Sequence, residues 1–176
     1  MGPRMNTTYA ACPTEIVEAP IDVVWKLFTN LAGWGSFYDV RVQSVEPPGP
    51  AVVGQRMLGE SGPRWLHLRV SFEFTRIDEP QHQLEMDIRV PLGIKVHEEF
   101  DCVSLGEARC RVNYHCNFNF PVGLRGKLLR LLLRRGLSAG PQDSIERLKR
   151  AAEQSFRGQV VATEEARKPL MNADEH

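Results

Sequence analysis

The chain has 176 residues, of which 25% are charged and 42% hydrophobic, and its 22 basic residues balance 22 acidic ones. This composition is typical of one soluble globular domain and excludes a disordered or membrane-spanning chain. A formal net charge of zero gives no overall attraction to nucleic acid, so we expect no nucleic-acid partner.

The first residues, MGPRMNTTYAACPTE, contain no apolar run long enough for a signal peptide, so we expect a cytoplasmic protein. The cysteines lack the close spacing of a zinc site, and no metal is expected. They should stay reduced and pack as small apolar residues, although Cys102 and Cys110 could pair across a hairpin. The four are Cys12, Cys102, Cys110 and Cys116.

The first structured part of the chain predicts a strand and then a short helix. TEIVEAPID is extended as far as Pro20, and a proline suits the first turn of a helix. Beyond it Val24, Leu27 and Phe28 recur at three- and four-residue steps, the period of a helix with one buried face. Gly33 then interrupts the pattern and leaves a short, irregular second segment.

Between residues 40 and 120 the apolar period changes to two, which predicts an antiparallel meander. RVQSVE and VVGQRML are short strands on either side of a PPGP loop. LHLRVSFEF and LEMDIRV are longer strands, and two more follow them. Strands that alternate apolar and polar residues form a sheet with one dry face and one wet face, and the dry face needs a cover.

The cover is predicted to be a helical region over residues 124–156, with a break or kink at Gly140-Pro141. Its second half, PQDSIERLKRAAEQSF, carries a single apolar stripe. Beyond it the periodicity is lost. We therefore expect one domain over residues 1–156 and a flexible tail over residues 157–176.

Assembled, the order is a strand, two short helices, antiparallel strands and a long C-terminal helix. With EAPIDVVWKLFTNLAGWGSFYD at the front, SVEPPGPAVVGQRM after it and SIERLKRAAE at the end, the chain resembles the START-like superfamily. The resemblance is to the polyketide cyclase/dehydrase and lipid-transport branch of this helix-grip, birch-pollen-allergen-like superfamily. It implies an α+β helix-grip fold, in which a curved antiparallel sheet wraps around the long C-terminal α-helix and encloses a cavity for hydrophobic molecules. The quoted segments contain no signature of catalytic residues, so the resemblance predicts the fold more strongly than an activity.

The resemblance also implies a set of ligand-binding side chains around that cavity. The mouth would be formed by Trp34, Phe37 and Tyr38. The walls would be the inward strand residues Leu68, Val70, Phe72, Met86, Ile88, Glu98, Phe100, Tyr114, Cys116 and Phe118. The lid would be formed by Leu128, Leu132, Ile145 and Leu148. Each of these side chains could instead simply fill a core.

Glu98 is the candidate for chemistry, because the strand phase of Val96 and Phe100 directs its carboxylate toward the dry face. A buried carboxylate without a partner has a raised pKa and could transfer protons or anchor a ligand. The alternative is a local bulge, or a position near the strand end, that turns Glu98 outward. Tyr114 could offer its hydroxyl to a ligand or serve as an ordinary core tyrosine.

The segment GLRGKLLRLLLRRGL has five basic residues and no acidic one. On a helical projection Lys127, Arg130 and Arg134 form a narrow basic stripe opposite a broad arc of leucines. Two interpretations remain open. The leucines could pack beneath the first helix pair, or the segment could contact an anionic membrane transiently while ligand is exchanged.

The sequence therefore predicts a protein that binds, and in one version transports, a hydrophobic small molecule or lipid in an internal cavity, without cofactor or metal. One alternative is a polyketide cyclase/aromatase- or dehydratase-like enzyme that uses Glu98 in the same cavity. Another is a membrane-associated accessory protein that uses the basic helix. The sequence contains no phosphate-binding loop, nucleophile elbow or zinc-protease motif.

Overall fold

The computed structural model describes residues 8–62 and 68–171. Two helices, two short 3₁₀ helices and eight strands make up this part of the chain. The helices are α1 (Ile21–Thr29) and α2 (Leu124–Met171), and the 3₁₀ helices are Leu31–Ser36 and Pro91–Gly93. The strands are β1 (Thr8–Ala11), β2 (Thr14–Val17), β3 (Arg41–Glu46), β4 (Arg56–Ser61), β5 (Leu68–Asp78), β6 (Gln83–Val90), β7 (Ile94–Gly106) and β8 (Arg109–Asn119).

The strands form one antiparallel sheet in the order β1-β8-β7-β6-β5-β4-β3, with β2 also paired to β8. The sheet is a meander from β3 to β8, because each of these strands pairs with the next one along the chain. α2 contacts β1, β2, β8 and α1 and covers the dry face. The predicted α+β helix-grip fold is confirmed.

The start of α1 follows from Pro20, whose carbonyl accepts hydrogen bonds from the N–H groups of Val23 and Val24 at 3.0 and 3.5 Å. Asn30 ends the helix, and the 3₁₀ helix begins with the next residue. The indole N–H of Trp34 then donates to the carbonyl of Phe28 at 3.0 Å. This bond holds the 3₁₀ helix against α1, so the aromatic side chains turn into the core.

The predicted alternation is present in the long strands. In β5, Val70, Phe72 and Phe74 are buried, and the intervening residues are more exposed. β7 and β8 pair in continuous register from Lys95 to Ser104. A bulge at Glu98 is therefore ruled out, and its side chain points to the dry face.

One predicted strand begins later than expected. The pattern of VVGQRML predicts a strand, but β4 starts at Arg56 and the residues before it form a turn. The reason is Gln55, whose buried amide accepts from the N–H of Val52 at 3.0 Å and donates to the carbonyl of Pro47 at 2.6 Å. These bonds fix the loop in place of a sheet ladder.

Two features of the C-terminal helix differ from the prediction. The predicted break at Gly140-Pro141 is wrong, because α2 passes through these residues as one helix of 48 residues. The proline removes the bond from its own N–H to the carbonyl of Leu137, and the buried turns on either side hold the helix together. α2 also continues to Met171, so residues 157–171 are helical and not irregular. GQVVATEEARK is rich in helix-forming residues, which extend an existing helix without a new nucleation step. The last predicted tail residues, 172–176, lie outside the described part of the chain.

Despite its length, α2 is not apolar enough to cross a membrane, and neither is any other helix in residues 8–62 and 68–171.

The four cysteines are free thiols, and Cys102, Cys110 and Cys116 are buried. Cys102 lies opposite Val112 in the β7–β8 register, so it does not face Cys110. Burial raises the pKa of Cys110 to about 11, so this side chain stays a neutral thiol.

Gly59 in β4 provides a test of the packing that positions the segment after the 3₁₀ helix. A Cβ at this position would collide with the side chain of Val40 and lie 3.0 Å from the carbonyl oxygen of Arg41. We expect Gly59→Ala to lower the free energy of unfolding by about 1–3 kcal/mol, measured by urea denaturation.

Gly158→Ala is the matched control, because nothing lies within 4 Å of a Cβ there. It should leave the free energy of unfolding unchanged or raise it by up to about 1 kcal/mol. Equal effects of the two substitutions would contradict the close packing at Gly59.

Candidate ligand-binding site

A cavity of about 190 Å³ lies between the dry face of the sheet and the middle of α2. Aliphatic and aromatic side chains form most of its wall, and one carboxyl group, that of Glu98, is buried in it. The lining residues are Tyr38, Asp39, Ser61, Val70, Phe72, Ile88, Val90, Val96, Glu98, Tyr114, Phe118, Gly136, Gly140, Pro141 and Ser144.

The cavity exists because α2 presents small residues to the sheet at this level. Gly136, Gly140 and Ser144 are four residues apart and therefore lie on one face of the helix. A Cβ on either glycine would meet no atom within 4 Å. Further along the helix Ile145 and Leu148 are buried and fill the corresponding space. Because Gly136 and Gly140 have no side chains, open space remains between α2 and Glu98.

Glu98 is held in place by hydroxyl and thiol donors. Its side chain is 3% exposed. The Tyr38 hydroxyl lies 2.8 Å from each carboxyl oxygen, and the Cys116 thiol lies 3.4 Å from Oε1. The Tyr114 hydroxyl also forms a hydrogen bond with this carboxyl group. Four side chains from β7, β8 and the segment after the 3₁₀ helix thus meet at one point.

Burial raises the pKa of Glu98, because a charged carboxylate loses its hydration in this site. The hydrogen bonds from Tyr114, Tyr38 and Cys116 oppose this effect but do not cancel it. Within residues 8–62 and 68–171 no ion pair joins Glu98 to a basic side chain, and the charge of the neighbouring His97 lowers the pKa of Glu98 by less than the hydrogen bonds do. Glu98 therefore keeps its proton to a higher pH than an exposed glutamate.

The two tyrosines remain hydrogen-bond donors. Burial, and then the nearby charge of Glu98, raise the pKa of Tyr38 and of Tyr114 well above the usual value. The Tyr114 ring stacks on Phe100 with centroids 4.3 Å apart and an interplanar angle of 11°. Tyr38 packs against Trp34 at 5.4 Å. These ring contacts orient both hydroxyl groups toward the carboxyl group.

The structure brings part of the predicted ligand-binding set to the cavity surface: Tyr38, Val70, Phe72, Ile88, Glu98, Tyr114 and Phe118. Binding through these residues stays a prediction. Other members are buried in the core outside the lining, namely Met86, Phe100, Cys116, Ile145 and Leu148. Leu68, at the start of β5, is partly buried and also lies outside it.

The predicted mouth and lid need correction. Trp34 and Phe37 are fully buried core residues, because the 3₁₀ helix turns them inward against Phe28. Leu128 and Leu132 are exposed and do not cover the cavity, since they lie on the outer side of α2. The helix covers the cavity with Gly136, Gly140, Pro141 and Ser144 instead.

The prediction missed the residues that create the space. Gly136, Gly140 and Ser144 have a detectable signal, their four-residue spacing, but Gly140-Pro141 in the same segment predicts a break or kink in the helix. Asp39 and Ser61 also line the cavity, and the Ser61 hydroxyl donates to Asp39 Oδ2 at 3.4 Å. No local pattern marks this pair, because the residues come from different parts of the chain. Val90, Val96 and Pro141 complete the missed set.

A larger cleft, of about 530 Å³, lies near the end of α1 and the loop before β4. Thr29, Asn30, Ala32, Val45, Pro48, Gly49 and Pro50 line it. It contains no ionisable side chain, so it offers neither a proton donor nor a charged anchor. In the described ranges, no group of three or more His, Cys, Asp or Glu side chains is placed to hold a metal ion. The Glu98 cavity is therefore the better candidate.

A family model described as polyketide cyclase / dehydrase and lipid transport matches residues 13–153. The chain belongs to this family. The match spans β2 to the middle of α2 and therefore includes every residue that lines the cavity. Among curated proteins, none matches the chain.

Solved structures share the fold at low sequence identity. Zhui aromatase/cyclase from Streptomyces sp. R1128 is 13% identical, with a TM-score of 0.65 over 84% of this chain and 94% of that one. Norcoclaurine synthase from Thalictrum flavum, in complex with dopamine and hydroxybenzaldehyde, is 14% identical, with a TM-score of 0.59 over 81% and 85%. A protein from Thermus thermophilus is 16% identical, with a TM-score of 0.63 over 84% and 99%. At these identities the likeness establishes the family fold only.

Tyr38→Phe tests the hydrogen bond at the cavity floor. The bond from Tyr38 lowers the pKa of Glu98, so its removal should raise that pKa further. The carboxyl carbon of Glu98 can be followed by isotope-edited NMR during a pH titration. Tyr9→Phe is the control, because Tyr9 packs on Phe118 and does not contribute to the pKa shift of Glu98. A fall in the Glu98 pKa in the Tyr38 variant would contradict the assignment.

Glu98→Gln tests the cost of a buried charge. The folded state has a raised pKa at Glu98, whereas the unfolded chain titrates near 4.5. At pH values between 4.5 and the raised pKa, the folded state binds more protons than the unfolded chain does. The stability that the protonated carboxyl group contributes is therefore lost as the pH rises through this range. We expect the wild type to lose stability relative to Glu98→Gln as the pH increases above about 4.5.

Urea denaturation at several pH values measures this difference. Glu107→Gln, at an exposed turn position, is the control and should show a constant difference from the wild type. If the free energy of unfolding of the wild type, relative to that of Glu98→Gln, stays constant or rises with pH, Glu98 is not held protonated by burial.

Proposed function

We propose that the protein binds a small hydrophobic molecule in the cavity above Glu98. The observation that carries this proposal is one buried carboxyl group at the floor of a mostly apolar cavity, surrounded by oriented hydroxyl donors. Apolar walls with a few convergent polar groups are the usual composition of a small-molecule site. The walls would supply affinity, and Glu98 with Tyr38 and Tyr114 would select the polar group of the ligand.

The size of the cavity limits the ligand. Its volume of about 190 Å³ is below the roughly 300–1,000 Å³ that is common for drug-sized ligands. A compact ring system or a single acyl segment fits this volume better than a whole lipid. Each buried methylene of such a ligand would contribute ~0.8 kcal/mol.

The polar group of the ligand should be neutral. A protonated Glu98 can donate a hydrogen bond to a ligand carbonyl, and Tyr114 can donate a second one when its hydroxyl turns from Glu98 to the ligand. An anionic ligand group would meet a buried carboxyl group with no basic partner in the described ranges and would be excluded.

Transport of the bound molecule and a cytoplasmic location belong to the same proposal. The family description, which names both cyclase/dehydrase activity and lipid transport, supports either outcome for the bound molecule.

The second candidate is an enzyme of the polyketide cyclase/aromatase or dehydratase type in the same cavity. The raised pKa of Glu98 favours it, because a carboxyl group that titrates closer to neutral pH can both give and take a proton. Glu98 would protonate a carbonyl oxygen or remove a proton from the adjacent carbon, while the walls exclude water. The structural likeness to an aromatase/cyclase supports this candidate.

Membrane contact through Lys127, Arg130 and Arg134 is a separate hypothesis. It concerns the outer face of α2 and not the cavity.

Filling the cavity from α2 tests the binding proposal. Gly136→Leu adds a side chain at the cavity lining, where a Cβ meets no atom within 4 Å, and Gly158→Leu adds the same side chain at an exposed position with equal space for a Cβ. The neutral fluorescent ketone prodan serves as the probe, and native mass spectrometry of purified protein reports any bound hydrophobic molecule. We expect Gly136→Leu to weaken prodan binding at least about tenfold, or ~1.4 kcal/mol, and the control to leave it unchanged. Equal binding by both variants would place the probe elsewhere.

Glu98→Gln separates the carrier from the enzyme. An acid-base enzyme should exchange the α-protons of β-tetralone for deuterium in heavy water, measured by NMR, and the substitution should slow this exchange about 10²–10⁴-fold with little change in prodan binding. No exchange above background by the wild type would favour the carrier. Exchange that persists in Glu98→Gln would remove Glu98 from the chemistry.

A further inference from the structure

The first turns of α2 carry an apolar face that nothing in the described structure covers. Leu124, Leu128, Leu131 and Leu132 are exposed, and the exposed fractions of Leu124 and Leu132 are 83% and 70%. The interpretation that these leucines pack beneath the first helix pair is therefore wrong. Four exposed leucines on three turns form a contiguous patch of the kind that marks an interaction surface.

The leucines point away from the body of the protein. The opposite side of the helix is fixed by Gly126, where a Cβ would collide with the carbonyl oxygen of Pro121, and by Leu137, which is buried. At about 100° per residue, the four leucines fall within an arc of about 100°, and Gly126 and Leu137 lie on the far side of the helix. Closing α2 more tightly onto the sheet would not bury them.

Basic side chains border this arc on both sides. On the same projection Lys127 and Arg134 flank one edge and Arg125 flanks the other, and all three are exposed. The sequence contains no acidic residue between Glu107 and Asp143, although the whole chain has zero net charge. The positive charge is therefore concentrated at the apolar face.

We propose that this docking face, formed by Leu124, Leu128, Leu131 and Leu132 with Arg125, Lys127 and Arg134, binds the surface of an anionic lipid bilayer. The leucines enter the boundary between head groups and acyl chains, and the basic side chains extend along their edges to the lipid phosphates. Charge complementarity selects this partner. A second copy of the chain would bring two basic borders together, and like charges across an interface are unfavourable.

The docking face lies close to the cavity along the same helix. Gly136, which lines the cavity, follows Leu132 by one turn, and Gly140 lies about 12 Å further along the helix than Leu132 at 1.5 Å per residue. A docked α2 would thus hold the cavity near the lipid surface. The docking itself requires no ligand, so it stands or falls independently of the proposed binding function.

Vesicle flotation with the full-length protein tests the proposal. The vesicles are phosphatidylcholine alone, or an equal mixture of phosphatidylcholine and phosphatidylglycerol. We expect binding to the anionic mixture only, with weaker binding at high salt, since surface charges are screened. Equal binding to both compositions, or no binding to the anionic one, would overturn the proposal.

Two pairs of variants on α2 locate the surface. Leu128→Gln/Leu132→Gln removes exposed leucines from the docking face, and Val160→Gln/Val161→Gln removes exposed valines from the far half of the helix. Lys127→Gln/Arg134→Gln removes its charges, with Arg150→Gln/Arg157→Gln as the matched control. Each docking-face variant should lower the partition coefficient at least about tenfold. The control variants should leave it unchanged.

Circular dichroism and light scattering complete the test. All substituted residues are exposed or partly exposed, so the variants should keep the helical signal of the wild type. If the leucine pair instead converts a wild-type dimer to a monomer and the wild type ignores anionic vesicles, the face is an interface between copies of the chain. Loss of vesicle binding in the control variants would also overturn the assignment.

Discussion

The burial of Glu98 is the constraint on which the site depends. Its carboxyl group enters the dry side of the sheet because β7 and β8 keep a continuous register there, with Glu98 opposite Cys116. A buried carboxyl group must have hydrogen-bond partners or it destabilises the fold. Tyr38, Tyr114 and Cys116 provide them, and Tyr38 can do so only because α1 and the 3₁₀ helix bring the segment after Ser36 over the sheet. The same contacts that satisfy Glu98 thus fix the entry of the chain into β3.

The second requirement is empty space above the carboxyl group. A helix with large side chains at positions 136, 140 and 144 would pack directly onto Val70, Val96 and Glu98 and leave a solid core. Glycine and serine at these positions leave a cavity in which Glu98 carries the one buried carboxyl group of the lining. Glycine in a helix costs about 1 kcal/mol relative to alanine. The fold therefore gives up some helix stability where the cavity lies, which is common at functional sites.

α2 has different surroundings along its length, and this explains its mixed composition. Near its start one side is fixed to Pro121 while leucines and basic residues face outward. Its middle covers the cavity, and the following turns bury Ile145, Leu148 and Ala152 against the sheet and α1. A single helix thus joins an outward apolar face, a cavity cover and a core-packing segment.

The sequence by itself determined the elements whose signal is local. Alternation in β5 to β8 gave the sheet and its dry face, Pro20 gave the start of α1, and the strand phase pointed Glu98 inward. Tertiary structure alone decided that Tyr38 meets Glu98, since the two residues are 60 positions apart and no periodicity connects them. It also decided that Trp34 and Phe37 are core residues and that Gly140-Pro141 lies inside a continuous helix. In each case the outcome depends on which neighbours surround the side chain, and a pattern in one segment contains no information about the segments packed against it.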